Sequence, residues 1–238
     1  MKFSARPAGK HDCRWKKLWR AGMSTGLMAF TAILTGCQSA PLDISLLQRS
    51  YRPNNVFASP PKSSPQLERV AVLPIAAETP GNDLPAGCAA LTPVLWDQLV
   101  KAKKFEVVAV EPVRLRQNTG QAYWTGTETL PADFLAALHR DYDCDAVLFT
   151  ELTTYRAYAP LAVGWRFKLV DVRSGAILWA ADELFEGSRQ DVAYAAQRYA
   201  EPGFSWPLLW QKNWLAANSP SQFGGYSAAA LLKTLPVH

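Results

Sequence analysis

The chain has 238 residues, of which 49% are hydrophobic and 19% charged, with a formal net charge of +5 and a pI of about 9.0. This length predicts one or two domains with a hydrophobic core, and nine Trp residues at such moderate charge exclude wholesale disorder. The composition also excludes collagen, coiled-coil and multi-span membrane proteins. Because a basic pI is typical of nucleic-acid-binding proteins, the position of the charge matters.

Residues 1–36 have the pattern of an export signal. Seven basic residues and one acidic residue precede a short apolar run from Met23 to Ile33. The run ends in Leu34-Thr35-Gly36-Cys37, which resembles the lipobox of bacterial lipoproteins, where the cysteine is acylated and becomes the first mature residue. We therefore predict a lipoprotein signal and a lipid anchor of the palmitate type on Cys37. An uncleaved anchor or a coincidental cysteine is the alternative.

Cleavage before Cys37 would change the charge of the protein. Lys plus Arg falls from 25 to 18 and Asp plus Glu from 20 to 19, so the mature chain carries about −1. No clustered Lys/Arg stripe remains for phosphate binding, and we predict no nucleic-acid partner. Position 38 is Gln rather than Asp, which by resemblance to the sorting rule of diderm bacteria favours the outer membrane. The predicted location is the outer membrane, facing the periplasm.

Residues 37–67 comprise the predicted lipidated Cys37 and a flexible tether, which is rich in Pro, Ser, Asn and Gln. A domain over 68–187 begins with an apolar strand at 69–75. Thr92-Pro93 predicts the start of the first helix. The near-continuous apolar run at 105–110 predicts a second strand, parallel and covered on both faces. Residues 111–129 are polar and predict a loop.

The rest of the domain predicts one more helix and three more strands. Pro131 marks the start of the second helix, and residues 145–153 predict a third strand. Residues 163–169 alternate apolar and polar, which is typical of a half-buried strand, and 176–180 form the fifth. The order β-α-β-α-β-β-β predicts an α/β fold with helices packed on a mixed sheet in three layers. Short crossovers make its first half parallel, and a hairpin extends it antiparallel.

Residues 188–238 predict a helix followed by an irregular, aromatic-rich extension. Ser188 and Asp191 form a variant of a capping box, and Phe223-Gly-Gly-Tyr226 predicts a flexible turn. Trp residues recur at four-residue spacing in the extension and are the candidate partner-binding residues: Trp206, Trp210 and Trp214. Two interpretations stay open. The segment packs onto the sheet, or it forms a contact surface for a partner or membrane.

Two cysteines, Cys88 and Cys144, remain after the signal and the lipid anchor are set aside. An oxidising periplasm permits a disulfide between them. Their predicted places at opposite ends of a parallel sheet favour two free thiols instead. The sequence contains no Cys-x-x-Cys or Cys/His cluster, so we predict neither a metal site nor a cofactor.

No group of residues predicts catalysis, and we expect no catalytic residue and no enzyme. His139 is the only histidine of the predicted domain, and no Gly-x-Ser-x-Gly turn accompanies it. Asp141, Asp143 and Asp145 are similar to the start of a calcium loop. However, Ala146 and Leu152 stand where such a loop needs Gly and Glu. We interpret the three acids as a hydrated helix-to-strand turn.

Several segments taken together, in order and spacing, resemble a known superfamily over roughly 69–187. They are Val70-Ala-Val-Leu-Pro-Ile75, Phe105-Glu-Val-Val108, Asp145-Ala-Val-Leu148, Leu169-Val-Asp-Val-Arg-Ser-Gly175 and Ile177-Leu-Trp179. The superfamily contains periplasmic lipoproteins related to the curli secretion channel CsgG, the activator LpoB and the TolB amino-terminal domain. The resemblance implies a non-enzymatic envelope protein that forms rings or binds envelope machines. The short loops between the third, fourth and fifth strands lack the long hairpins of the curli channel, so no pore is expected.

The leading hypothesis is an outer-membrane-anchored, non-catalytic scaffold or assembly factor of an envelope or secretion machine. Its expected partners are the membrane, through Cys37, and an unidentified envelope protein, with homo-oligomers as a further option. The first alternative is an activator that docks onto a peptidoglycan synthase, although LpoB-type activators carry a longer tether than this one. A remote alternative is an envelope hydrolase that uses carboxylates around Asp143.

Overall fold

The structure, a computed structural model, describes residues 51–60, 67–77, 83–200 and 219–236. The strands of these residues are β1 (Val56–Ala58), β2 (Arg69–Val72), β3 (Ala76–Ala77), β4 (Glu106–Ala109), β5 (Ala146–Arg156), β6 (Ala162–Asp171) and β7 (Ile177–Glu186). The helices are α1 (Leu84–Ala102), α2 (Pro112–Thr119), α3 (Phe134–Tyr142), α4 (Gln190–Ala200) and α5 (Pro220–Leu232).

All seven strands form one mixed sheet, with the order β1-β7-β6-β5-β2-β4 and the short β3 paired to β5. Strand β2 is parallel to both β4 and β5, because helical crossovers connect them. The segment from β5 to β7 is an antiparallel meander, and β1 pairs antiparallel with β7. The predicted α/β class, the parallel first half and the antiparallel hairpin are therefore confirmed.

Helices cover both faces of the sheet, and each side has its own hydrophobic core. Helices α1, α4 and α5 pack on the first face, around residues such as Trp165, Phe167 and Trp179. Helices α2 and α3 pack on the second face, with Leu115 and Phe134 among its buried residues. The three-layer arrangement follows from strand alternation, since successive side chains of one strand point to opposite faces.

The N-terminal boundary of the domain differs from the prediction. Residues 51–60, expected within the flexible tether, lie along the sheet, and their strand β1 extends it beyond β7. The backbone N–H of Ser59 donates to the carbonyl of Leu178 at 2.9 Å. The aromatic ring of Tyr51 meets that of Phe185 edge-on, with 5.5 Å between ring centroids. A three-residue strand among Pro and Asn has no sequence pattern of its own, and only its pairing with β7 defines it.

Helix α1 begins earlier than predicted, at Leu84 rather than near Thr92. Two prolines fit the signal for a helix start, and the structure uses Pro85 in the first turn. Pro93 lies inside the helix, where it cannot donate a backbone hydrogen bond. The neighbouring Thr92 hydroxyl donates to the carbonyl of Cys88 at 2.7 Å. The predicted stripe is confirmed, since Leu95 and Leu99 are buried.

The structure contains one helix that the sequence pattern does not predict. Residues 111–129 predict a loop, but Pro112–Thr119 form α2. Pro112 occupies its first turn, Leu115 is its one buried residue, and Gly120 ends it at a φ of 87°. A two-turn helix with a single buried apolar residue shows no periodicity in the sequence, which explains the error.

The C-terminal region is more regular than predicted. Residues 219–236 contain α5, and Phe223-Gly-Gly-Tyr226 is a buried part of this helix rather than a flexible turn. A methyl group at Gly224 would collide with the side chain of Leu91. Gly224, which would weaken an isolated helix, here allows α5 to approach α1 closely. The predicted helix α4 is confirmed, with Val192 and Ala196 on its buried side.

Candidate functional site

The predicted acidic cluster is divided among separate structural contacts. Asp145 accepts the backbone N–H groups of Glu68 and Arg69 at 2.9 and 3.0 Å, joining the start of β5 to the start of β2. Asp143 ends α3 with a left-handed φ of 49° and donates its N–H to the carbonyl of His139 at 2.8 Å. Asp141 accepts a hydrogen bond from Asn118 of α2. These contacts fit the predicted helix-to-strand turn, now with named partners.

His139 and Cys144 belong to the same turn. The Nδ1 atom of His139 lies 2.8 Å from the carbonyl oxygen of Cys144. The Cys144 thiol is buried, and burial raises its pKa to about 11. This thiol contacts the carbonyl of Leu138 at 3.7 Å, so it serves packing rather than nucleophilic chemistry.

The structure leaves both cysteines free. Cys88 lies in α1 at the edge of the first core, whereas Cys144 belongs to the second core on the opposite face of the sheet. The sheet lies between these two cores and so separates Cys88 from Cys144. Of the two predicted alternatives, a disulfide or two free thiols, the structure contains two free thiols.

Within the described ranges, no three His, Cys, Asp or Glu side chains come together in a way that could hold a metal ion. Among the same residues, no helix is both long enough and apolar enough to cross a membrane. Cys37 and the tryptophans at 206, 210 and 214 lie outside the described residues. Their predicted roles in lipid anchoring and partner binding stay predictions.

One charged network crosses the second face of the sheet, and the sequence did not predict it. Arg166 of β6 bonds Asp182 of β7 at 2.8 Å and Glu151 of β5 at 3.2 Å. Glu151 is only 1% exposed, so the ion pair with Arg166 stabilises a buried carboxylate. The three residues are direct neighbours in the register of the three strands, which fixes the network across the sheet.

Around this network, apolar side chains of β1 and β7 reach solvent: Phe57 is 53% exposed, Ile177 41% and Leu184 42%. Phe57 lies opposite Ala180 in the register, and both line a shallow pocket together with Arg166 and Asp182. We call the surface formed by Phe57, Ala180, Asp182 and Leu184 the open sheet face. Among the described residues, no helix covers it. Such an exposed apolar patch is typical of an interaction site.

A second surface feature follows from the topology. The chain leaves β2 toward α1 on one face and leaves the neighbouring β4 toward α2 on the other, and such a switch opens a crevice at the carboxyl ends of the strands. A groove of about 530 Å³ lies there. Its walls include the segments 72–75 and 109–112, one side of α1 and Tyr123. We call it the switch-point groove. Its lining is mostly apolar, unlike that of a phosphate site.

No protein-family model matches the sequence, and no characterised protein matches it by sequence. Several solved structures are similar to the chain. PelC from Paraburkholderia phytofirmans, a dodecamer, is 17% identical with a TM-score of 0.43, and the match covers 77% of this chain and 96% of PelC. The lipoprotein GNA1162 from Neisseria meningitidis is 23% identical with a TM-score of 0.35 over 50% of this chain and 79% of its own.

The C-terminal domain of LpoB from Escherichia coli is also similar, at 18% identity and a TM-score of 0.36, covering 51% of this chain and 85% of that domain. LpoB is one of the proteins that the sequence resembles. The finer relation to CsgG and to the TolB amino-terminal domain stays a prediction.

Proposed function

We propose that this chain is a lipid-anchored protein of the outer membrane, facing the periplasm, that acts as a non-catalytic scaffold or assembly factor for an envelope machine. The main support is the position of β1. The segment that follows Cys37 enters the domain at Tyr51 and pairs along β7, the strand that carries Asp182 and Leu184 of the open sheet face. The anchor and the exposed patch are thus joined through one strand pair.

The reach of the anchor is short. Tyr51 lies fourteen positions after Cys37, and fourteen residues span at most about 50 Å when fully extended. As an unstructured coil they would span roughly 20 Å. The domain would therefore stay close to the membrane that holds the lipid, with the open sheet face available to a neighbouring envelope protein.

The chemistry of the open sheet face suits a protein partner. It combines exposed apolar side chains, Phe57 and Leu184, with the charged pair of Arg166 and Asp182 at its centre. An apolar patch around oriented charges provides both burial energy and specificity in protein association. We place the docking site of the envelope partner on this face.

Removal of the acylated thiol tests the anchor. In a diderm host, the wild-type protein should fractionate with the outer membrane. The Cys37→Ser variant should no longer be found in that fraction. Cys13→Ser is the matched control, because this cysteine lies within the predicted signal and should leave the fractionation unchanged. If Cys37→Ser still fractionates with the outer membrane, the lipid anchor is wrong.

The activator alternative loses support from the same geometry. An activator of a peptidoglycan synthase has to reach across the cell wall, and docking of Tyr51–Ala58 shortens the tether that was already short. The hydrolase alternative also loses support. The Asp145 carboxylate accepts backbone N–H groups of Glu68 and Arg69, and that of Asp141 accepts from Asn118. The Asp143 carboxylate is 90% exposed and lies 3.8 Å from the Arg69 guanidinium. A one-to-one complex with a synthase would favour the activator over the scaffold.

A further inference from the structure

The outer side of α1 is unusually apolar for a helix at a protein surface. Its first thirteen residues, 84–96, contain no charged side chain. Exposed positions there include Ala86, Ala90 and Pro93, and Trp96 is 37% exposed. A surface helix ordinarily carries charged or polar side chains toward solvent, whereas a helix that is apolar all round is buried. This side of α1 therefore has the composition of a covered surface.

The same helix forms one wall of the switch-point groove, through Pro85, Cys88, Thr92 and Trp96. Of the described residues that line the groove, Glu111 is the only charged one. The apolar side of α1 and the groove are continuous at Trp96. A ligand for this surface needs large apolar side chains, and a cation among them would complement the carboxylate.

Residues 201–218 connect two helices that both contact α1. On one side, the Tyr199 hydroxyl at the end of α4 donates to Oε1 of Gln98 at 2.6 Å. On the other side, α5 begins after Ser219 and packs Gly224 against Leu91. Both ends of the segment are therefore held at α1.

The groove is within easy reach of these ends. Thr92 and Trp96 face the groove, whereas Val94 and Gln98 face α5 and α4. Residues two positions apart lie on nearly opposite sides of a helix of about 10–12 Å diameter. Eighteen residues span up to about 60 Å, which is several times the distance around α1.

The composition of the segment matches that of the surface. It contains Phe204 and five further large apolar residues in addition to Trp206: Leu208, Leu209, Trp210, Trp214 and Leu215. Its two charged residues are Glu201 and Lys212, and Lys212 stands between two of the tryptophans. A lysine in this position complements Glu111 of the groove.

We propose that residues 201–218 bind back onto α1 and fill the switch-point groove with aromatic side chains of Trp206, Trp210 and Trp214. The occupant is the chain's own segment rather than that of a second copy, because α4 and α5 fix its two ends and give it a high effective concentration at the groove. Of the two interpretations of the tryptophans, this selects packing onto the domain. It does not depend on the lipid anchor.

Cys88 provides a reporter, since its half-buried thiol lines the groove. The experiment uses the full chain with Cys13→Ser and Cys37→Ser, so that only Cys88 and Cys144 keep thiols. N-ethylmaleimide modification is followed over time in detergent-free cell extract, because detergent would compete for an apolar groove. A mass tag added after denaturation counts the thiols that have not reacted. Cys144 is the internal indicator of unfolding.

The double variant Trp210→Ser/Trp214→Ser should raise the rate of Cys88 modification at least ten-fold while Cys144 stays protected. Gln211→Ser/Asn213→Ser, which changes the residues between and beside these tryptophans, is the matched control and should leave the rate within two-fold. An unchanged rate in the tryptophan double variant overturns the proposal.

A disulfide scan decides the case in which the double variant unfolds and exposes Cys144. Trp206→Cys, Trp210→Cys and Trp214→Cys are each introduced singly and oxidised, and the products are separated without reductant. A monomeric species with an internal bond to Cys88, for at least one position, supports the proposal. A disulfide-linked dimer would instead show that the groove binds a second copy of the chain. The absence of a disulfide to Cys88 at all three positions would show that residues 201–218 do not occupy the groove. Either of these results overturns the proposal.

Discussion

The hydroxyl of Tyr51 donates to Oε1 of Glu183 at 2.5 Å, across 132 positions of the sequence. The other oxygen of this carboxylate accepts the backbone N–H groups of Asn54 and Asn55 at 3.0 and 3.3 Å. Burial, together with this hydrogen bond, raises the pKa of Tyr51, so the phenol remains a donor. Arg189 lies over the Tyr51 ring, 4.9 Å from its centroid. One carboxylate of β7 thus fixes the segment by which the predicted anchor enters the domain.

We expect Tyr51→Phe to loosen this entry segment without unfolding the protein. The substitution keeps the ring packing against Phe185 but removes one hydrogen bond to a charged acceptor, worth about 1.5–3 kcal/mol. Amide hydrogen exchange at Ser59 and Asp182, whose N–H groups join β1 to β7, should become about 10–150 times faster. Amides of β5 should keep their rates, and equal acceleration in both strands would contradict a local effect.

Removing the Arg166 guanidinium should be strongly destabilising. Arg166→Met leaves the buried Glu151 carboxylate without this ion pair, and breaking such a pair from one side costs about 3–5 kcal/mol. Urea denaturation followed by circular dichroism measures the loss. Arg140→Met is the matched control, since the Arg140 side chain is 75% exposed, and should cost less than about 1 kcal/mol. Equal losses in the two variants would contradict the structural role of the network.

Helix α5 packs against the sheet as part of the domain core, and the effect of Ser227→Ala on stability tests this packing. The buried Nε1 of Trp165 donates to the Ser227 hydroxyl at 2.8 Å, and that hydroxyl donates to the carbonyl of Gly224 at 2.9 Å. Ser227→Ala leaves the indole N–H buried without this acceptor, at a cost of about 1–3 kcal/mol. Ser221→Ala, at an exposed position of the same helix, is the matched control and should leave stability nearly unchanged. A stability unchanged by Ser227→Ala would contradict the packing of α5 on Trp165.

The Cys144 thiol should make stability depend on alkaline pH. Burial raises its pKa from an ordinary value near 9 to about 11 in the folded state, so the folded protein holds the proton longer than the unfolded chain does. The contribution is present below pH 9 and is lost as the pH rises from 9 to 11, by at most about 1.4 kcal/mol per pH unit.

Urea denaturation under reducing conditions, in steps from pH 8 to pH 10.5, measures this dependence. Cys144→Ala should flatten the decline in the free energy of unfolding above pH 9. Cys88→Ala, which removes the less buried thiol, should flatten it less. The tyrosines contribute equally to both variants, so their titration cancels in the comparison. Parallel curves for the wild type and Cys144→Ala would contradict the raised pKa.

Much of the fold is predictable from local patterns. The stripe of Leu95 and Leu99 predicts the buried side of α1, and the alternation around Trp165 and Phe167 predicts the face of β6 that meets the core. Long-range packing produced the errors. The pair Gly224-Gly225 predicts a turn because glycine weakens helices, yet close approach of α1 favours glycine at this contact.

The candidate surfaces are harder to predict than the elements. Glu151, Arg166 and Asp182 lie on three different strands, and they become neighbours only when the register of β5, β6 and β7 is known. The switch-point groove arises because successive connections leave to opposite faces of the sheet, which no single segment encodes. One local signal was available. The absence of charge over residues 84–96 is unusual for a helix that has an exposed side.

The central claim, an anchored scaffold that binds an envelope partner through the open sheet face, is tested most directly by native mass. The protein is extracted gently from the envelope, its native mass is measured, and the components are identified. Wild type should form a complex with a second envelope protein or with further copies of itself, and Leu184→Glu, which places a charge on the open sheet face, should be released from it. Tyr158→Glu, at a loop position that is 66% exposed, should retain the complex. A wild-type protein that is extracted as a lone monomer, or a Leu184→Glu variant with an unchanged complex, would contradict the account.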